Sequence, residues 1–138
     1  MFLRSSVSMS DKIIFPFNSK EDNREMFVKA IQAAELSNEK VVLFTTIEGE
    51  DLEKEFDHVY EHFFELNGFF QTHYNNWKKI KPPLERVIRE GDLGENLVAY
   101  LKELNTPVKI VVSCDSKEMN RERLEGLFKN LKIPPNLI

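Results

Sequence analysis

Cysteine and long apolar runs are both scarce in this chain of 138 residues. The single cysteine, Cys114, excludes a disulfide within the chain. One free thiol fits a reducing compartment, and we expect a cytoplasmic protein. No apolar run is long enough to span a bilayer, and residues 1–8 contain too short an apolar core for a secretion signal. The sequence therefore predicts a soluble protein without a membrane partner.

Positive charge is outweighed by negative charge, which gives a formal net charge of −4 and a pI near 5.5. Nucleic-acid binding requires Lys and Arg side chains clustered on one face of a protein. The local basic cluster of Lys78, Lys79 and Lys81 is interpreted here as a solvated loop. The composition therefore argues against a nucleic-acid partner.

Short apolar runs alternate with long stretches of helical periodicity. The three clearest runs are Ile13–Phe17, Val41–Phe44 and Val108–Val112. A weaker strand candidate is Leu84–Glu90, whose apolar content is interrupted by Arg86 and Arg89. Short strands that alternate with helices predict an α/β sandwich with a mostly parallel sheet of four to five strands.

One helix is predicted to be unusually long. Apolar and aromatic residues step by three and four in a heptad stripe over residues 51–77: Leu52, Phe56, Val59, Phe63, Leu66, Phe70, His73 and Trp77. We interpret the stripe as core packing, although so many aromatic residues also fit a ligand pocket or a partner surface. A closing helix is predicted over about residues 117–132, with Asp115 or Ser116 as its cap.

The length of the chain favours one domain that buries a sheet between two helix layers. Met9–Lys12 reads as a natural start before the first strand. We therefore treat residues 1–10 as a flexible amino-terminal extension and residues 11–138 as the single domain. Ligands of parallel sheets bind at the carboxyl ends of the strands, and here those ends are poor in glycine: Asn18-Ser19, Thr45-Thr46 and Ser113–Ser116.

The order and content of these elements resemble the universal stress protein family. The resemblance rests on the opening run Ile13–Asn18, the second strand Val41–Thr46, the long helix and the turn Ile88–Asp92. It implies a three-layer flavodoxin-like, adenine-nucleotide-hydrolase-like sandwich and a homodimer. It also places Asn18 where the family has an Asp that contacts adenine.

The family's ATP-binding members carry Gly-x2-Gly-x9-Gly followed by Ser or Thr, and this motif is degenerate here. Ser113 and Ser116 occupy the first two glycine positions, and Gly126 the third, with Leu127 after it. Glycine lets a backbone amide approach phosphate closely, and a β-carbon obstructs that approach. We therefore expect no cofactor bound in the usual manner. The alternative is a crevice that weakly retains ATP, AMP or a small anion through Asn18, Thr46, Ser113, Ser116 and Gly126.

Many family members pair their subunits through the last strand, which in this chain corresponds to Ile133–Ile138. Pro134 and Pro135 cannot donate to a sheet ladder and should weaken that strand. We still expect a homodimer, formed through another surface. The proposed surface is the aromatic far end of the long helix, around Phe69, Phe70, Tyr74 and Trp77.

Other chemistry is less well supported by the sequence. Glu55, His58 and His62 share a helical face and could bind a metal, but positions 58 and 62 should point to solvent, so we predict no metal site. Cys114 could serve a thiol-dependent enzyme, yet no His or Lys stands near it in sequence, and we assign no catalytic residue. The preferred interpretation is a non-enzymatic binding or regulatory domain with a possible protein partner.

Overall fold

The computed structural model describes residues 12–18, 20–21, 23–37, 39–73, 84–112 and 119–138, without the side chains at positions 35, 67, 69–73 and 84. Five strands and four helices alternate within these residues. The strands are β1 Lys12–Pro16, β2 Lys40–Ile47, β3 Leu84–Glu90, β4 Lys109–Ile110 and β5 Asn136–Leu137. The helices are α1 Arg24–Ser37, α2 Leu52–His73, α3 Leu93–Leu104 and α4 Arg121–Phe128.

The strands form one parallel sheet in the order β3-β2-β1-β4-β5. This arrangement confirms the predicted α/β sandwich with a parallel sheet. Strand order reverses between β1 and β4, and all strands end at the same edge of the sheet, which we call the carboxyl edge. In open parallel sheets the crevice beyond this edge, at the point of reversal, is where ligands bind.

Helices cover both faces of the sheet, which explains why β1 and β2 read as continuous apolar runs. On one face, α1 and α2 bury Phe27, Ala30, Ile31, Ala34, Val59, Phe63 and Leu66 against the sheet. On the other face, α3 and α4 bury Leu93, Leu97, Tyr100, Leu101, Leu124 and Phe128. Within the described residues, no helix combines the length and apolar character needed to cross a bilayer.

The weak strand candidate, Leu84–Glu90, is a full strand that pairs with β2 along its whole length. Its two arginines are accommodated by aromatic rings on opposite faces of the sheet. The Arg86 guanidinium lies 5.8 Å from the centre of the Phe63 ring, and that of Arg89 lies 5.5 Å from the centre of the Tyr100 ring. Arg89 also donates two hydrogen bonds to Glu103, at 2.9 and 3.0 Å, which lower the pKa of that carboxyl group.

The predicted turn after β3 is present. Gly91 has a positive φ of 114°, a conformation that favours glycine. Asp92 follows as the cap of α3 and accepts a hydrogen bond of 2.9 Å from the backbone N–H of Glu95.

Two predicted helix features are wrong. The closing helix begins at Arg121 rather than near residue 117 and ends at Phe128. Its cap is Asn120, whose Oδ1 accepts from the N–H of Arg123 at 2.9 Å, rather than Asp115 or Ser116, which lie outside the described residues.

In α2, Phe56 is 40 % exposed instead of packing in the core. The described part of α2 ends at His73, so the predicted extension to Trp77 also lies outside the described residues.

The last strand forms despite the two prolines, because it begins directly after them. The N–H groups of Asn136 and Ile138 donate to the carbonyls of Val108 and Ile110, both at 2.9 Å. Pairing is limited to two residues, as expected for a strand that follows prolines.

The amino end of the sheet is held by a partly buried ion pair. Lys109 of β4 lies 2.6 Å from Glu39, which precedes β2, so the pair spans the intervening strand β1. Glu39 is only 3 % exposed. A carboxylate at this depth depends on its cationic partner, because an uncompensated buried charge is costly.

Replacing Lys109 by Met should therefore destabilise the protein by about 1–3 kcal/mol, since it removes the ammonium that lies 2.6 Å from the buried Glu39 carboxylate. The matched control is Lys12→Met, whose partner Glu85 is 37 % exposed and lies 3.4 Å away. That control should cost about 1 kcal/mol or less. Urea unfolding of the two variants measures the difference, and equal losses would contradict a special role for the Glu39 pair.

Two hydrogen bonds join the end of β1 to β2 at the carboxyl edge. The N–H of Phe17 donates to the carbonyl of Phe44 at 3.0 Å, and the hydroxyl of Thr45 donates to the carbonyl of Phe17 at 2.6 Å. Thr45 is 1 % exposed, so this bond satisfies two buried polar groups. It fixes the point from which the chain leaves the sheet.

Replacing Thr45 by Val should cost about 1–3 kcal/mol, because the shape is retained while the Phe17 carbonyl loses its donor. Thr46→Val is the control, since Thr46 is only half-buried and belongs to the same strand. We expect that variant to stay within about 0.5 kcal/mol of the parent. Thermal unfolding followed by circular dichroism distinguishes the two, and a Thr45→Val variant as stable as Thr46→Val would be the contrary outcome.

Candidate functional site

A small polar pocket lies at the carboxyl edge, beside the ends of β1 and β2 and the first turns of α2 and α3. Its volume is about 70 Å³, and it is lined by Phe17, Asn18, Lys20, Thr45, Thr46, Glu48, Glu55 and Leu93. Pockets that enclose drug-sized ligands commonly measure about 300–1,000 Å³. This pocket is therefore sized for water molecules or a small ion rather than for a whole nucleotide.

Asn18 and Thr46, two of the predicted site residues, are brought together in this pocket. The Asn18 side chain is already engaged in its own turn, because its Oδ1 accepts from the N–H of Lys20 at 2.9 Å. Its carbonyl accepts from the N–H of Glu21 at 3.0 Å. Such a turn is typical of Asn, whose side-chain oxygen reaches a backbone N–H two residues ahead. Asn18 therefore shapes the rim of the pocket.

Asn23 stabilises the loop that carries Lys20. The sequence analysis did not predict this role. Asn23 is 7 % exposed, and its Nδ2 donates to the carbonyls of Asn18 and Glu21, both at 2.9 Å. The same atom lies 3.0 Å from Nε2 of His62. The available signal was an Asn immediately before the predicted first helix, since a polar residue at a helix start often organises the preceding turn.

His62 is not on the solvent side of α2, so that prediction is wrong. Its ring packs 5.4 Å from the ring of Phe17 and contacts Asn23. The reason is that α2 passes over the end of β1, so the flank of the helix at position 62 meets the loop that follows the strand. His58, one turn earlier, is exposed as predicted.

The pocket carries more negative than positive charge. Lys20 Nζ lies 3.5 Å from Glu55 Oε1, and Glu48 is a second acidic residue of the lining. The lining thus includes one cationic and two acidic residues. A phosphate entering this space would lose its hydration and meet an unfavourable field, because charges of like sign repel more strongly as water is excluded.

Two of the helices that start at this edge, α2 and α3, are capped by carboxylates. Asp51 Oδ1 accepts from the N–H of Lys54 at 3.0 Å in the first turn of α2. Asp92 plays the same part at α3. Helix N-termini attract anions through their N–H groups and their dipole, and at α2 and α3 a side-chain carboxylate of the chain itself already accepts one of those N–H groups.

Of the remaining predicted site residues, only Gly126 lies within the part of the chain that the structure describes. Gly126 is exposed in the middle of α4, with no heavy atom within 4 Å of the position of an added β-carbon, and it is not among the pocket-lining residues. Its role as the third motif glycine stays a prediction. Ser113, Cys114 and Ser116 lie outside the described residues.

The three residues of the metal hypothesis have different surroundings in the structure. Glu55 pairs with Lys20, His62 packs against Phe17, and His58 is exposed. Across the described ranges, no group of three or more His, Cys, Asp or Glu side chains is positioned to hold a metal ion.

Comparison with known proteins identifies solved structures with a similar architecture. A search found no matching family model and no matching curated protein. A universal stress protein family structure from Burkholderia pseudomallei is 14 % identical, with a TM-score of 0.56 over 95 % of this chain and 97 % of that one. A universal stress protein in complex with cAMP is 14 % identical, with a TM-score of 0.59 over 93 % and 96 %.

A third structure, the universal stress protein from Archaeoglobus fulgidus in complex with dAMP, is 13 % identical, with a TM-score of 0.56 over 96 % of this chain and 98 % of that one. These likenesses extend over nearly the full length of both chains in each pair, while sequence identity is low. They therefore bear on the fold rather than on the ligand. The chain has the fold of the universal stress protein family.

Proposed function

We propose that this chain is a non-enzymatic, universal stress protein-like binding or regulatory domain of the cytoplasm, with a crevice that does not hold ATP in the family's usual manner. The observation that carries the proposal is the charge of the pocket. Lys20 is paired with Glu55, and Glu48 adds a second carboxylate. A triphosphate would have to displace Glu55 from Lys20 and still face Glu48.

Three further features support this proposal. The pocket of about 70 Å³ is small for a nucleotide. Asp51 and Asp92 accept backbone N–H groups at the starts of α2 and α3, where a phosphate would meet their negative charge. Serine replaces glycine at positions 113 and 116 of the family's phosphate-binding motif.

The second candidate function is binding of an adenine nucleotide or a small anion. It is favoured by the fold, since two of the similar structures are complexes with cAMP and dAMP. It is also favoured by the position of Asn18 and Thr46 in one pocket. A ligand there would need Lys20 to exchange Glu55 for phosphate. Thiol-dependent catalysis by Cys114 gains no support from the described residues.

Thermal unfolding in the presence of ATP and AMP separates the first two candidates. A ligand present at a hundred times its dissociation constant adds about 2.7 kcal/mol of stability, which raises the midpoint of a domain of this size by several degrees. We expect no saturable rise with either nucleotide at millimolar concentration. Magnesium chloride without nucleotide is the control for ionic strength. A rise that saturates with AMP would overturn the proposal in favour of the nucleotide-binding candidate.

Removing the pocket carboxylates tests the electrostatic reason directly. The double variant Glu48→Gln/Glu55→Gln should bring binding of AMP into the measurable range, because two repulsive charges of about 1 kcal/mol each are lost and Lys20 becomes available. The matched control is Glu50→Gln/Glu53→Gln, which removes two exposed carboxylates outside the pocket lining. Isothermal titration with AMP measures both. Equal effects of the two pairs would assign the change to net charge and contradict the pocket argument.

A homodimer, as implied by the family resemblance, belongs to the same proposal. Light scattering of the purified chain at several concentrations measures the mass in solution, for which we expect twice the monomer mass.

A further inference from the structure

Helix α2 exposes a row of aromatic side chains that the crevice does not use. Phe56, Tyr60 and Phe64 follow one another at spacings of four residues and are 40 %, 49 % and 80 % exposed. Residues at this spacing are neighbours on one side of a helix. We call these three residues the aromatic ridge.

The aromatic ridge is a preformed surface rather than a set of independent side chains. The rings of Phe56 and Tyr60 lie 4.7 Å apart, and the ring of Tyr60 meets that of Phe63 edge-on at 6.1 Å. Phe63 is buried in the core, with 2 % exposure. The inner part of the ridge is thus connected to the core, so a partner that binds there would order few additional side chains.

A row of acidic side chains runs along the same helix beside the aromatic ridge. Its members, which we call the acidic row, are all exposed and again spaced by four: Glu53, Asp57, Glu61 and Glu65. Each follows a residue of the Leu52-Phe56-Tyr60-Phe64 series by one position, which is a rotation of about 100° around the helix axis. The exposed side of α2 therefore combines apolar ring surface with a line of negative charge.

The aromatic ridge lies on the flank of α2 that faces the edge strand β3. Arg86 of β3 places its guanidinium 5.8 Å from the centre of the Phe63 ring, whereas His62 on the opposite flank faces the crevice. The Arg86 contact also shows, within the chain itself, how the faces of these rings accept a guanidinium.

We propose that the aromatic ridge and the acidic row form a docking surface for a basic, amphipathic segment of a partner protein. Its Arg or Lys side chains would pair with the acidic row and stack on the rings, and its apolar side chains would cover Phe64. Charge complementarity selects this occupant over a second copy of the chain, because a symmetrical contact would set two acidic rows against each other. The proposal names a partner class for the binding role proposed above and rests on that role, but it does not involve the crevice.

The probe is a labelled synthetic peptide of about four helical turns with Arg on one face and Leu on the other. Its twin carries Glu in place of Arg. Fluorescence anisotropy should show binding of the Arg peptide alone. Phe64→Ala and Tyr60→Ala should each weaken binding about tenfold, as expected for aromatic anchors. Leu36→Ala is the matched control, because Leu36 is 92 % exposed on α1, away from the ridge.

A second pair of variants isolates the charge. Asp57→Asn/Glu61→Gln should weaken binding of the Arg peptide and reduce its salt dependence. Glu122→Gln/Glu125→Gln on α4 removes the same net charge elsewhere on the surface and should leave the affinity unchanged. All these positions are exposed, so unfolding midpoints near that of the parent are expected for every variant except Tyr60→Ala, which also loses its ring contacts with Phe56 and Phe63.

Three results would overturn the proposal: equal binding of the two peptides, no binding of either, or the same effect for Phe64→Ala and Leu36→Ala. A dimer that dissociates on Phe64→Ala would assign the surface to a second copy and also overturn it. Binding of AMP would appear as a thermal shift in the parent and in Phe64→Ala alike, so failure of the crevice proposal is distinguishable from failure of this one.

Discussion

Parallel strands that are covered by helices on both faces impose the main constraint on this protein. Each crossover returns the chain to the same end of the sheet, so every strand ends at the carboxyl edge and the next helix starts there. The first turn of α2 consequently brings Glu55 to Lys20, and the middle of the helix brings His62 to Asn23. The other flank of the helix passes the edge strand and leaves its aromatic residues exposed. One helix thus borders both candidate surfaces.

The character of the crevice follows from which side chains stand at these helix starts. Asp51 and Asp92 of the chain itself cap α2 and α3, and Lys20 lies 3.5 Å from Glu55. Fold similarity at 13–14 % sequence identity does not show that two proteins bind the same ligand. The side chains that line the pocket are therefore the stronger evidence about ligand binding.

The strands and most helices could be predicted from the sequence, because burial on two faces leaves a continuous apolar signature. The strand containing Arg86 was harder, since the ring that accommodates its guanidinium belongs to a distant helix. Helical periodicity predicts on which side of α2 His62 lies. It does not predict which part of the chain packs against that side. The cap Asn120 was not predicted, because Asp115 and Ser116 precede it and are also residue types that commonly cap helices. The pair of Glu39 and Lys109, seventy positions apart, has no local signal.

The central claim is that the carboxylate-lined crevice does not accept the phosphate of an adenine nucleotide. The most direct measurement is the change in backbone amide chemical shifts of isotope-labelled protein during titration with AMP. The account predicts no saturable change at Phe17, Asn18, Lys20, Thr46 or Glu48 up to millimolar AMP. Saturable shifts confined to those residues, with a common dissociation constant, would contradict it.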